Sequence, residues 1–258
     1  MLIDSHCHLD FPCFDNDRQN VIEKCSGLGI DTIVVPGTEA SSWQNIIALS
    51  RQFTALKPAF GLHPYFLAGF EESHLDELVV YLDKYKSTVV AVGEIGLDRA
   101  ISVDISLQKR VFERQLDIAH EADLPVIIHH RRSHNDIIKT LKHLKFSGGG
   151  IIHAFSGSLH EALTYQDLGF KLGVGGLITY PRGQKTRKVV GQVPLDLLVL
   201  ETDAPDMPLF GQQGKRNTPE NIPMILAELA SLREESADVI ALQCRQNVLA
   251  VLQNITTV

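Results

Sequence analysis

The sequence of 258 residues has no basic surplus: its formal net charge is −7 and its isoelectric point lies near 5.9. Wrapping long stretches of duplex nucleic acid draws on many phosphate-neutralising Lys and Arg side chains, so that mode of binding is excluded, while a local basic rim around a pocket is not. No apolar run approaches the roughly 18 residues that a membrane helix needs, and no low-complexity stretch or Pro/Ser linker divides the chain. Cysteine is sparse. Cys7, Cys13, Cys25 and Cys244 form no C-x-x-C pair, and a chain of this length needs no covalent staples, so reduced thiols are expected. The opening residues Met1 to His6 carry neither a basic leader nor an apolar segment of signal-peptide length, which makes a cytoplasmic location the expectation. Disorder is excluded by the 44% apolar content.

What the chain does have is a recurrence of short, β-branched, apolar runs: Leu2 to His8, Thr32 to Pro36, Ala59 to His63, Val89 to Gly93, Val126 to His130, Ile151 to Phe155, Lys171 to Gly175 and Leu197 to Glu201. The stretches between them show helical rather than alternating patterns. In one, Leu107, Val111, Phe112, Leu116, Ala119 and Ala122 make an apolar stripe, with Lys109, Arg110, Glu113 and Arg114 opposite. Near the C-terminus Ile222, Ile225, Leu226 and Leu229 repeat the helical spacing, with Thr218 before Pro219 as a candidate cap. Eight apolar strands interleaved with helices predict an α/β fold, a parallel (β/α)₈ TIM-like barrel occupying 1–258 as a single domain. A doubly wound open sheet is the competing topology. It would normally place a Gly-rich phosphate turn after the first strand, where this chain has Leu9-Asp10-Phe11-Pro12.

Eleven histidines stand out, and their positions matter more than their number. His6 and His8 lie two apart on the first run, so both imidazoles face the same way. His129 and His153 close the fifth and sixth runs, Glu94 follows the fourth, and Asp203 follows the eighth. Strand ends of a barrel converge on its C-terminal face, where such enzymes build their sites. Four imidazoles and two carboxylates exceed the three or four protein ligands that one catalytic zinc takes, and two divalent ions sharing a carboxylate would use all six. The mixture of nitrogen and oxygen suits Zn²⁺, Mn²⁺, Fe²⁺ or Ni²⁺, with Mg²⁺ less favoured. Such a pair activates water for hydrolysis and clamps a phosphoryl group. Cys7, between His6 and His8, faces away from them and reads as a buried structural thiol, and Trp43 reads as core.

The motifs Asp4-Ser5-His6-Cys7-His8-Leu9-Asp10, Gly61-Leu62-His63-Pro64, Gly93-Glu94-Ile95-Gly96-Leu97-Asp98, Leu124 to His129, His153-Ala154-Phe155-Ser156-Gly157 and Glu201-Thr202-Asp203-Ala204-Pro205 resemble the successive signatures of the TatD family of metal-dependent hydrolases. The likeness runs from residue 2 to about residue 250, and Ser156-Gly157-Ser158 with Thr202 to Pro208 is similar to a YjjV-type subgroup. The resemblance implies a metal-dependent hydrolase acting on ester bonds, with phosphodiester hydrolysis at the ends of single-stranded DNA as in 3′–5′ deoxyribonucleases. With no apolar run of spanning length, no membrane association is expected, and no obligate protein partner is implied. By the same resemblance His6 and His8 would hold one ion, His129 and His153 the other, and Glu94 would bridge. Asp203 would ligate the first ion and orient or deprotonate water, His63 would face the substrate or support a ligand, and Asp98 would support the loop of Glu94. Arg131 and Arg216 fall inside matched motifs and are the candidates for gripping a phosphate.

Two positions depart from the family pattern. Arg99-Ala100-Ile101 follows Asp98 where relatives carry aromatic residues that could stack on a base, and His130 follows His129. Only one of the two neighbouring histidines can face inward, which leaves His130 to pack against a helix. Two other readings of the site are an amidohydrolase-type enzyme acting on a small cyclic amide or lactone, and a metal-loaded barrel that binds nucleic acid without turnover. The first often uses a carboxylated lysine as its bridge, a place taken here by Glu94.

Overall fold

A computed structural model describes residues 1–255. Eight parallel strands follow one another in chain order: β1 Leu2–Asp4, β2 Ile30–Pro36, β3 Leu56–Phe60, β4 Ala91–Asp98, β5 Val126–Arg131, β6 Gly150–Ile152, β7 Phe170–Val174 and β8 Leu198–Leu200. The helices α1 Arg18–Gly27, α2 Ala40–Gln52, α3 Ser73–Lys84, α4 Ile105–Glu121, α5 His134–His143, α6 Leu159–Asp167 and α7 Gln184–Val190 fill the first seven crossovers. α8 Ile222–Ser231 and α9 Ala237–Val251 follow β8. The sheet rolls up until its edges meet. Ser5 N donates to Leu200 O at 2.9 Å, Asp203 N to His6 O at 2.9 Å and His8 N to Ala204 O at 2.7 Å, and Cys7 bridges Ala204 in parallel. The (β/α)₈ barrel is therefore the fold, and the doubly wound alternative is excluded. No helix among the described residues is long and apolar enough to cross a membrane.

Side-chain alternation divides the interior into two cores. Ile3, Val34, Ala59, Ala91, Ile127, Ile151 and Val199 form a cluster with Val248 and Leu252. Each of these strand residues faces the lumen, and α9 with the segment after it closes the lumen from below. Gln253 N donates to Val90 O at 3.2 Å, and Asn254 Nδ2 to Val89 O at 2.7 Å. The larger cluster lies between sheet and helices and contains Cys7, Trp43, Phe60, Ile95 and Phe112, which is where Cys7 and Trp43 were expected. All four cysteines are free thiols.

Some boundaries differ from the sequence reading. The third strand is Leu56–Phe60, not Ala59 to His63, because Gly61 to His63 leave the ladder and bond elsewhere: Leu62 pairs with the Gln115 side chain of α4 through N (2.7 Å) and O (3.1 Å). Gln108, one heptad earlier on α4, serves the end of β4 in the same way, accepting from Asp98 N at 2.8 Å and donating to Asp98 O at 3.0 Å. The buried face of α4 thus includes two glutamines, while Ala122 is exposed. Thr218 precedes a short 3₁₀ turn, Pro219–Asn221, and makes no side-chain cap bond, so it does not cap α8. The first run also breaks. Its strand ends at Asp4, and a bend at Ser5 lets His6 and His8 face inward although Ile3 does too.

Candidate metal centre

The two-residue period that puts Ile127, Ile151 and Val199 in the lumen carries His129, His153 and Glu201 to the same side one step higher. Glu94 arrives differently. The pairing of β4 with β5 jumps from Val92↔Val126 to Ile95↔Ile128, a bulge that inserts one extra residue. Such a bulge re-aims a side chain, here that of Glu94, into the barrel mouth. Gly61 and Gly93 make the bulge possible: a Cβ on Gly61 would lie 2.7 Å from Gly93 C, and one on Gly93 would lie 2.7 Å from the Ile127 Cβ.

All six candidate ligands meet in one cup. His6 Nε2 is 3.1 Å and His8 Nε2 3.4 Å from Glu94 Oε2, while His129 Nδ1 is 3.1 Å from Glu94 Oε1, so the carboxylate turns one oxygen to each group of histidines. Asp203 Oδ1 lies 3.6 Å from His6 Nε2, 3.7 Å from His8 Nε2 and 3.4 Å from His153 Nε2. The ring of His153 stacks on that of His6 with centroids 3.5 Å apart. Three trios have donor atoms within 4.8 Å of one another: His6–His8–Asp203, His6–Glu94–His153 and His63–Glu94–His129.

In His8, His129 and His153 the second ring nitrogen has its own partner, which fixes the one left facing the cup, whereas His6 Nδ1 is buried without one. His8 Nδ1 lies 3.2 Å from Pro36 O, His129 Nε2 3.3 Å from Asp98 Oδ2 and His153 Nδ1 3.0 Å from Glu201 Oε1. Asp98 therefore acts on His129 and not only on the loop of Glu94. His63 is of another kind. Its Nδ1 accepts from Tyr65 N at 3.1 Å, which leaves a protonated Nε2 3.4 Å from Glu94 Oε1: a donor rather than a lone pair.

Burial alone would raise the Glu94 carboxyl, but His63, His6 and His129 around it hold it well below the usual range. Burial opposes ionisation of Asp203 as well, and His153, His6 and His8 outweigh it to bring that carboxyl to about 2. Both carboxylates are anionic at neutral pH. Burial lowers His63 to about 4, so it stays neutral.

This donor set fits divalent transition ions: His6 Nε2 and His8 Nε2 confront each other at 3.2 Å beside two anionic carboxylates, an arrangement that a cation between them would relieve. Glu201 was missed by the sequence reading as a site residue. It is buried, accepts from Ala154 N at 2.6 Å, and occupies space that only a glycine leaves open, since a Cβ on Gly173 would sit 2.1 Å from its Oε2. Its signal was its position two residues before Asp203, directly after the apolar run that forms β8.

A cavity of about 340 Å³ opens above the cup, lined by His8, His63, Glu94, Asp98, His129, His153 and Asp203, and at its edge by Phe11, Tyr65, Phe66 and Arg131. Arg131 is exposed there and makes no ion pair among the described residues. Arg216 is placed otherwise than expected. Its guanidinium is bidentate to Asp17 at 2.9 and 2.6 Å and lies over the Phe14 ring, so its fork is occupied and it lines no part of the cavity. His130 packs against His134 of α5, ring centroids 4.0 Å apart, as the sequence required.

Comparison with known proteins agrees with this architecture. The family model described as TatD related DNase matches residues 3–253. The chain is 44% identical over 240 residues to the uncharacterized metal-dependent hydrolase YjjV of Escherichia coli, covering 93% of each chain. The crystal structure of YjjV superposes with a TM-score of 0.94 over 97% of each chain. The human deoxyribonuclease TATDN3 is 28% identical, with 96% of this chain and 93% of the human protein covered. With its eight-stranded barrel and its match along nearly the whole sequence, this chain belongs to the TatD family of metal-dependent hydrolases.

Proposed function

We propose that the protein hydrolyses phosphodiesters at the ends of single-stranded DNA, in the 3′–5′ direction, and that it does so in the cytoplasm with two divalent ions. The observation that carries the reading is the split of the Glu94 carboxylate, with Oε2 beside His6 and His8 and Oε1 beside His129. His6, His8, Glu94 and Asp203 would hold one ion, and Glu94, His129 and His153 the other. Ions bound there supply Lewis acidity, which acidifies water and offsets charge developing on the phosphoryl oxygens.

The chain's own groups do the rest. Asp203, anionic and hydrogen-bonded by His153, orients the attacking water and takes its proton on the free carboxylate oxygen. His63 Nε2–H donates to a phosphoryl oxygen, and Arg131 at the cavity edge pairs with the phosphate. Elemental analysis of the purified protein should find about two transition ions per chain. A chromogenic phosphodiester and a single-stranded oligonucleotide should be cleaved with added Mn²⁺, Zn²⁺ or Mg²⁺, and Asp203→Asn should lose at least about 10²-fold in kcat. Silence with all three metals removes the reading. Turnover of a lactone or cyclic amide in its place would transfer the site to amidohydrolase chemistry.

A further inference from the structure

The cup accounts for a phosphate but not for the two aromatic side chains at its edge. Tyr65 is 61% and Phe66 37% exposed, large rings left to water beside a polar cavity. They pack edge to face with centroids 5.2 Å apart, and Phe66 also lies edge-on to His63 at 5.9 Å. Their placement is not loose. Both lie in the 3₁₀ segment Pro64–Gly69, whose start is capped by His63 Nδ1 accepting from Tyr65 N. The opposite nitrogen of the same ring is 3.4 Å from Glu94 Oε1. One imidazole therefore fixes the distance from the aromatic pair to the bridging carboxylate.

Other aromatic residues near the mouth are engaged elsewhere: Phe11 stacks on His8 at 4.9 Å, and Tyr180 pairs with Phe210 and lies under Arg182, away from this cavity. The loop after β4 offers no ring, and its Arg99 is bound to Asp136.

We propose that Tyr65 and Phe66 form the stacking surface for the nucleobase attached to the phosphate being hydrolysed, so that the loop after β3 selects nucleotide esters over simple ones. The inference rests on the phosphodiesterase reading above. Any base offers a π-face, so this surface recognises a nucleotide without reading its sequence.

Two esters with the same leaving group separate the ideas: the p-nitrophenyl ester of thymidine 5′-monophosphate, and methyl p-nitrophenyl phosphate. The wild-type holoenzyme should show a KM about tenfold lower for the thymidine ester, and Tyr65→Ala or Phe66→Ala should abolish most of that advantage while leaving the methyl ester rate and kcat unchanged. Tyr65→Phe should retain the preference. Calorimetric binding of thymidine 5′-monophosphate against 2-deoxyribose 5-phosphate should show the same discrimination without turnover. If both esters are cleaved equally by the wild type, or the alanine variants lose both alike, the stacking surface is refuted while phosphodiester hydrolysis stands. If neither is cleaved, the reading beneath it fails and takes the inference with it.

Discussion

At the residue scale, three of the four candidate histidine ligands, His8, His129 and His153, are held from behind as well as presented in front. Asp98 is the clearest case, because its Oδ2 sits 3.3 Å from the ring nitrogen of His129 that points away from Glu94. Partners of this kind set ring orientation and typically govern metal affinity by 10- to 100-fold. Asp98→Ala should accordingly weaken metal retention by about that factor in competition with a chromophoric chelator, with the fold intact by circular dichroism. Unchanged retention would mean that His129 is oriented by something else. All six ligand candidates were legible in the sequence, since each closes or follows an apolar strand. The destiny of Arg216 was not: a motif fixes which residue stands at a position, not which neighbour claims its side chain, and Asp17 is almost 200 residues distant in the chain.

At the element scale, α4, α5 and the loop after β4 are tied together by a single carboxylate. Asp136 on α5 accepts from Lys109 of α4 at 2.7 Å and from Arg99 at 2.8 and 2.6 Å. Partial burial would raise this carboxyl, but Lys109 and Arg99 outweigh it and hold it below 3.8. A depressed carboxyl stabilises the fold at pH values above its unfolded pKa and ceases to as pH falls through the folded one. Asp136→Asn should therefore cost about 1 kcal/mol at pH 7, a figure kept small by the exposure of the partners. The difference should close below pH 3.8 in urea titrations run across that range.

Element boundaries were legible where the strand ladder alone fixed them. β2, β5 and β7 fall within a few residues of the apolar runs. β3 did not, because Lys57 and Pro58 hide its start, and beyond its end Leu62 bonds to the Gln115 side chain of α4 instead of the ladder. Gln108 and Gln115 look like surface residues in sequence, and nothing in the helical pattern announces that each satisfies backbone groups at a strand end, Asp98 and Leu62.

At the scale of the whole molecule, the barrel is finished at two places by parts of the chain far from its middle. From below, α9 and the residues after it seal the lumen, with Leu252 packed among Ile3, Val34 and Val199. Leu252→Ala should lose about 2–5 kcal/mol in thermal or urea unfolding and leave kcat/KM unchanged, since that face of the barrel supports the fold and not the chemistry. A matching loss of kcat/KM would show the two ends to be coupled.

At the side, the hydrogen bonds between Asp203 N and His6 O and between His8 N and Ala204 O join the segments that follow the first and last strands and also set the spacing of three candidate metal ligands. A ribosome-bound chain lacking its final third has no partner for that seam, so it holds the early histidines with no late aspartate beside them. Closing the sheet and assembling the candidate metal centre are then the same event: neither is complete until the residues around His6 and those around Asp203 have found each other.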